Sequence, residues 1–278
     1  MSLLKRILPL KKKNENVVWN LIGDQNPEIL LVGHSHRTTM ALALRNVKAS
    51  KKLAVLMESS GPYKIPHPDT GYWEFILKNK ISSLKKVIVI WQGHLSLIDF
   101  LLSAEQSFKL VNENNLHEIE VSDSLNIKSI VLERDIMNTF EKHFHNDGLN
   151  EILRIYNEHN YETFLLSSPP PKSKIFINTI LHNEVFFKEM YDELRKNSTN
   201  QQSDLILDDR DRVRIWELMQ EALQNTAIST GAKFIPIPKN FTDEQGILRE
   251  EYYLNDVSHA NEMYSEKLWK TLISEEVI

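Results

Sequence analysis

Glu28-Ile29-Leu30-Leu31-Val32-Gly33-His34-Ser35-His36-Arg37 is the stretch on which the fold turns. A short apolar run stops at a glycine, a serine follows two residues later, and Thr38 to Leu44 continues as a helical pattern. Short apolar runs bounded by glycine are how strands buried on both faces read. The stretch therefore predicts a strand, a tight turn and a helix, with a hydroxyl on the turn. In open parallel α/β sheets, ligands bind beyond the carboxyl ends of the strands. Ser35 stands where a nucleophile is useful. The plain reading of a serine there is a helix N-cap, bonding the free N–H groups of the first turn.

Working outward, four more strand-like runs follow: Lys52–Met57, Val87–Trp91, Thr163–Ser167 and Lys233–Ile237. Helical patterns lie between them at 38–48, 71–80, 96–108, 127–158 and 204–230, and a last one spans 261–273. In the long 204–230 pattern, Ile206, Val213, Trp216, Met219, Ala222 and Leu223 recur at roughly helical intervals, and Gly231 supplies a stop. Alternating strands and helices predict a parallel sheet of about five strands with helices on both faces and right-handed crossovers. Residues 1–25 read as an N-terminal arm and 26–278 as one domain. Polar insertions are expected near 112–126 and 195–203.

The bulk numbers bound the function. The chain has 278 residues, 41% hydrophobic and 26% charged, an ordinary globular composition. A net charge of −5 argues against a broad electrostatic grip on nucleic acid. The absence of cysteine removes disulfides, thiolate metal sites and a Cys nucleophile, and fits a reducing, cytoplasmic setting. The basic segment Met1–Lys13 is interrupted by Pro9 and is too short in its apolar pieces for a signal sequence or an integral membrane span. It reads as a loose tail, with a membrane-surface arm as the other reading.

Near the other end the chain reads Asn255-Asp256-Val257-Ser258-His259-Ala260-Asn261, just before the last helical pattern. An Asp and a His three positions apart at a helix entrance let the carboxylate reach Nδ1 and leave Nε2 free for a third group. The competing reading is an aspartate that caps the last helix beside a surface histidine.

Taken together, Gly33-His34-Ser35 on the first turn, Gly93 after the third strand and Asp256-x-x-His259 before the last helix resemble the SGNH (GDSL-type) hydrolase superfamily. Trp91-Gln92-Gly93-His94, the strand ending in Ser168-Pro169-Pro170-Pro171, and Arg212-x-x-x-Trp216 are similar to bacterial members of unassigned specificity. The resemblance implies a three-layer α/β/α sandwich, flavodoxin-like in plan. It also implies ester chemistry in which Ser35 attacks, His259 carries the proton and Asp256 orients the imidazole. No G-x-S-x-G elbow is present, which sets the chain apart from α/β-hydrolases.

The resemblance further implies an oxyanion hole from the Ser35 N–H, a glycine after the second strand, and a side chain after Gly93. Gly61 is the candidate for the glycine, although a plain turn glycine before Pro62 reads the same way. Two departures stand out. His94 occupies the position of the family's asparagine, and His34 that of its aspartate. An imidazole N–H donates in the right tautomer, so the hole is either kept in altered form or lost. His34, His36 and Arg37 are weaker candidates for substrate contact. No histidine spacing supports a metal, and no cofactor is called for. The expected function is a serine esterase or O-acyltransferase acting on a small-molecule or saccharide ester. The alternative is a catalytically impaired binding or assembly protein on the same scaffold. Sequence gives no oligomeric state.

Overall fold

The computed structural model describes residues 19–49, 51–58, 81–91, 108–112, 129–183, 185–197 and 205–278. In chain order these form β1 (Trp19–Gly23), β2 (Ile29–Gly33), α1 (Arg37–Ala43), β3 (Leu53–Glu58), β4 (Lys86–Ile90), β5 (Phe108–Val111), β6 (Ser129–Leu132), α2 (Glu133–Asn146) and α3 (Leu149–Glu158). They continue as β7 (Glu162–Leu166), α4 (Lys174–Ile180), α5 (Val185–Asn197), α6 (Asp209–Thr230), β8 (Lys233–Ile235) and α7 (Glu262–Ser274). Among the described residues no helix is long and apolar enough to cross a membrane.

The main sheet runs β1-β3-β2-β4-β7-β8. All five anticipated strands are present, and their mutual pairings are parallel. Their order is the flavodoxin-like 2-1-3-4-5, in which the chain reverses direction across the sheet between β2 and β4. β2 is buried at every position because it is central and covered on both sides. Leu30 and Val32 face one core with Phe140, Phe144, Leu153, Met219 and Leu223 from α2, α3 and α6. Ile29 and Leu31 face the other with Met40, Leu268 and Trp269 from α1 and α7. Each such side chain contributes about 1.5–3 kcal/mol through burial. These are the three layers, helix, sheet and helix.

The structure differs from the sequence expectation at several places. Trp19–Gly23, within the stretch expected as an arm, pairs antiparallel with β3 at the sheet edge. The 127–158 pattern opens with strand rather than helix, because Ser129–Leu132 pairs in parallel with Phe108–Val111 as a separate two-stranded sheet. α4 and α5 form where no element was expected, although Phe187, Met190, Tyr191 and Leu194 in α5 recur at helical spacing. α4 starts where the Ser173 side chain accepts the Phe176 N–H. The long pattern becomes helical only at Asp209, with Asp208 as N-cap, and ends at Gly231 in left-handed geometry (φ 78°). Residues 195–197 close α5 rather than opening a loop. The expected helix at 71–80 and the body of the 112–126 insertion lie outside the described residues, as does Met1–Lys13; of the helix expected at 96–108 only Phe108 is described, and it opens β5 rather than closing a helix.

Candidate active site

β2 delivers Ser35 to the carboxyl edge of the sheet. Gly33 ends the strand at φ 127°, and a Cβ there would lie 1.9 Å from the Ile90 carbonyl oxygen. No side chain fits, so the turn needs glycine. The His34 N–H then donates to Ile90 O (3.0 Å), which carries the β2–β4 ladder one step past the strand. Ser35 emerges exposed while its neighbours turn inward: His34, His36 and Arg37 are 3%, 4% and 5% exposed. The His34 ring meets Trp91 edge-on at 4.5 Å. These three residues, weaker candidates for substrate contact, thus form the underside of the turn.

His259 arrives from the far end of the chain on a pinched loop. Tyr253 and Ala260 form an isolated antiparallel bridge, and the Leu254 N–H donates to His259 O (3.2 Å). Inside the pinch, Asp256 Oδ1 accepts the N–H groups of Ser258 (2.9 Å) and His259 (2.6 Å). An aspartate that bonds its own following backbone in this way fixes a turn. Its second oxygen, Oδ2, is left for His259 Nδ1 at 2.8 Å. Below the loop, Phe241, Tyr252 and Tyr264 pack ring to ring at 4.9–5.9 Å. α7 ties this platform to α1: Trp269 Nε1 donates to Met40 O (3.0 Å) and Ser265 Oγ to Thr39 Oγ1 (2.8 Å).

The outcome is a continuous path. His259 Nε2 lies 2.7 Å from Ser35 Oγ across 224 positions of sequence. A carboxylate only accepts, so Nδ1 carries the hydrogen and Nε2 presents its lone pair to the serine hydroxyl. The His36 ring packs at 4.9 Å from that of His259 and restricts its swing. The two capping roles that sequence allowed are not taken up. α1 has no side-chain cap, and α7 is capped by Asn261, whose Oδ1 accepts the Tyr264 N–H (3.1 Å).

Burial alone would raise the Asp256 carboxyl. The hydrogen bond and charge of His259, with the charge of Lys172, hold it well below the usual carboxylate range. Lys172, which the sequence reading passed over, is 1% exposed and has its Nζ 3.3 Å from Asp256 Oδ1. A single lysine after three prolines carries no periodic or spacing signal. Gly61, Gly93 and His94 lie outside the described residues. Among the described residues no group of three or more His, Asp or Glu side chains is arranged to hold a metal ion.

No family model matches this chain, and no curated protein matches it. Similar solved structures include a GDSL-like lipase from Bacteroides thetaiotaomicron, at 11% identity and TM-score 0.42, covering 91% of this chain and 90% of the other. A protein provisionally named an acylhydrolase, from Bacteroides fragilis, is similar at 11% identity and TM-score 0.44, covering 100% and 95%. A protein provisionally described as a platelet activating factor, from Streptococcus pneumonia, is similar at 15% identity and TM-score 0.42, covering 91% and 84%.

Proposed function

We propose that the chain is a serine acyl hydrolase of the SGNH type, an esterase or O-acyltransferase acting on an acylated small molecule or saccharide. The observation that carries the reading is the pair of contacts joining Ser35 Oγ to His259 Nε2 (2.7 Å) and His259 Nδ1 to Asp256 Oδ2 (2.8 Å). A hydroxyl is a weak nucleophile until an adjacent base takes its proton. In the proposed reaction the ester carbonyl carbon is attacked by Ser35 Oγ as His259 Nε2 accepts the hydroxyl proton. The imidazolium so formed is balanced by Asp256, which stays ionised. Collapse of the tetrahedral adduct expels the alcohol, which takes the proton from His259. Water or an acceptor hydroxyl then repeats the sequence on the acyl-serine.

The exposure of Ser35 at the switch point of the sheet also supports the reading, since that is where open α/β sheets receive ligands. The Ser35 N–H, with Gly61, Gly93 and His94, is proposed to face the developing oxyanion. No cofactor enters these steps.

The test needs no known substrate. A fluorophosphonate probe should label Ser35, as read by mass spectrometry of the modified peptide. Ser35→Ala should abolish labelling and His259→Ala should lower it at least a hundredfold. A folded wild-type protein that takes no label and turns over no short acetyl ester would instead be a binding protein on a hydrolase scaffold.

A further inference from the structure

Lys172 sits where β7 leaves the sheet, after Pro169, Pro170 and Pro171. Its segment is clasped to the C-terminal loops on both sides. The Leu248 N–H donates to Pro171 O (2.9 Å), and the Ser173 N–H to Tyr253 Oη (2.8 Å). The ammonium reaches Leu254 O at 2.6 Å, Asp256 O at 2.5 Å and Asp256 Oδ1 at 3.3 Å. The rings of Phe176 and Tyr253 lie 5.3 and 5.6 Å away. Taking a charge this far from water is costly unless acceptors replace the lost solvent. An ammonium has three hydrogens to give, and these three oxygens all belong to one loop. A neutral amine would turn its lone pair toward one of them.

We infer that Lys172 is a positioning residue, whose ammonium locks the 254–259 loop so that Asp256 meets the ring of His259. Oδ1 is held from two directions, by Lys172 and by the Ser258 and His259 N–H groups, so the carboxylate cannot rotate Oδ2 away from Nδ1. Lys172 reaches the backbone of the loop and Asp256 Oδ1, and acts through Asp256. Its effect on chemistry rests on the esterase reading above; its hold on the loop does not.

Two measurements separate these. Amide hydrogen exchange reads the loop directly. In Lys172→Met, exchange at Ser258 and His259 should be at least tenfold faster, with the amides of β2 and β4 unchanged. Fluorophosphonate labelling of Ser35 should fall at least tenfold in the same variant. Lys172→Arg, which keeps the charge, should label at least threefold faster than Lys172→Met. Exchange at Ser258 and His259 within twofold of wild type in a folded Lys172→Met protein overturns the inference, and so does equal labelling in the two variants. If wild-type Ser35 takes no label, the esterase reading fails and the exchange contrast alone judges Lys172. Should Lys172→Met not fold, lysine side-chain NMR of the wild type decides. An ammonium at neutral pH supports the inference, and an amine overturns it.

Discussion

Asp256→Asn keeps the shape of the loop and changes its chemistry. The asparagine oxygen can still accept the Ser258 and His259 N–H groups, now made by Oδ1 at 2.9 and 2.6 Å. The amide nitrogen then takes the place of Oδ2, 2.8 Å from His259 Nδ1. Two donors would face each other, so the imidazole must move its hydrogen to Nε2, and Ser35 loses its base. The charge balance is lost as well. Opposite unit charges at 2.8 Å interact by about 6 kcal/mol at an effective dielectric of about 20. That corresponds to a factor of about 10⁴ in rate. Asp256 and His259 keep 20% and 25% side-chain exposure, and water screens part of this. The expected loss is therefore about 10³–10⁴. Pseudo-first-order labelling of Ser35 by a fluorophosphonate, followed by mass spectrometry, measures it without a known substrate. A folded Asp256→Asn protein labelling within threefold of wild type would refute the role assigned to the carboxylate.

Gly33→Ala places a Cβ 1.9 Å from the Ile90 carbonyl oxygen at φ 127°, so β2 and β4 must part where Ser35 is presented. The expected destabilisation is about 3 kcal/mol or more, read from the urea midpoint at unchanged m; a loss below about 1 kcal/mol contradicts the close approach. Glu133 is a second, structural carboxylate. It takes two hydrogen bonds from Arg214 (2.7 and 2.8 Å), linking α2 to α6. The Arg214 hydrogen bond outweighs burial and, with Asn112, holds the Glu133 carboxyl below its ordinary value. The unfolded chain thus binds this proton more readily than the folded one. The stabilisation is present above the unfolded value, near pH 4.3, and is lost as pH falls through the lower folded value. Urea midpoints of Glu133→Gln should fall less steeply than wild type below about pH 4. Parallel curves would mean the pair adds no acid sensitivity.

The sheet was legible because its strands are buried on both faces. Runs such as Val87–Trp91 are apolar without alternation, and Gly33 and Gly231 mark the ends of β2 and α6 as turn and cap chemistry require. Edge elements were less legible. Trp19–Gly23 is short and does not alternate, and its strand character comes from the partner it finds in β3 rather than from its own period. α4 is seven residues long, follows a proline run and starts at the Ser173 cap.

Sequence by itself determined which residue types stand at the turn after β2 and before α7, since order and spacing along the chain are local properties. It left Ser35 and Asp256 each with a helix-capping role as a competing reading. Only the tertiary structure brings Ser35 Oγ within 2.7 Å of His259 Nε2 across 224 positions, because that contact depends on α7 packing against α1 and not on any local pattern. The same holds for Lys172. Its charge looks like any surface lysine until the fold buries it beneath the loop that carries Asp256, where solvent is excluded and three oxygens take its place.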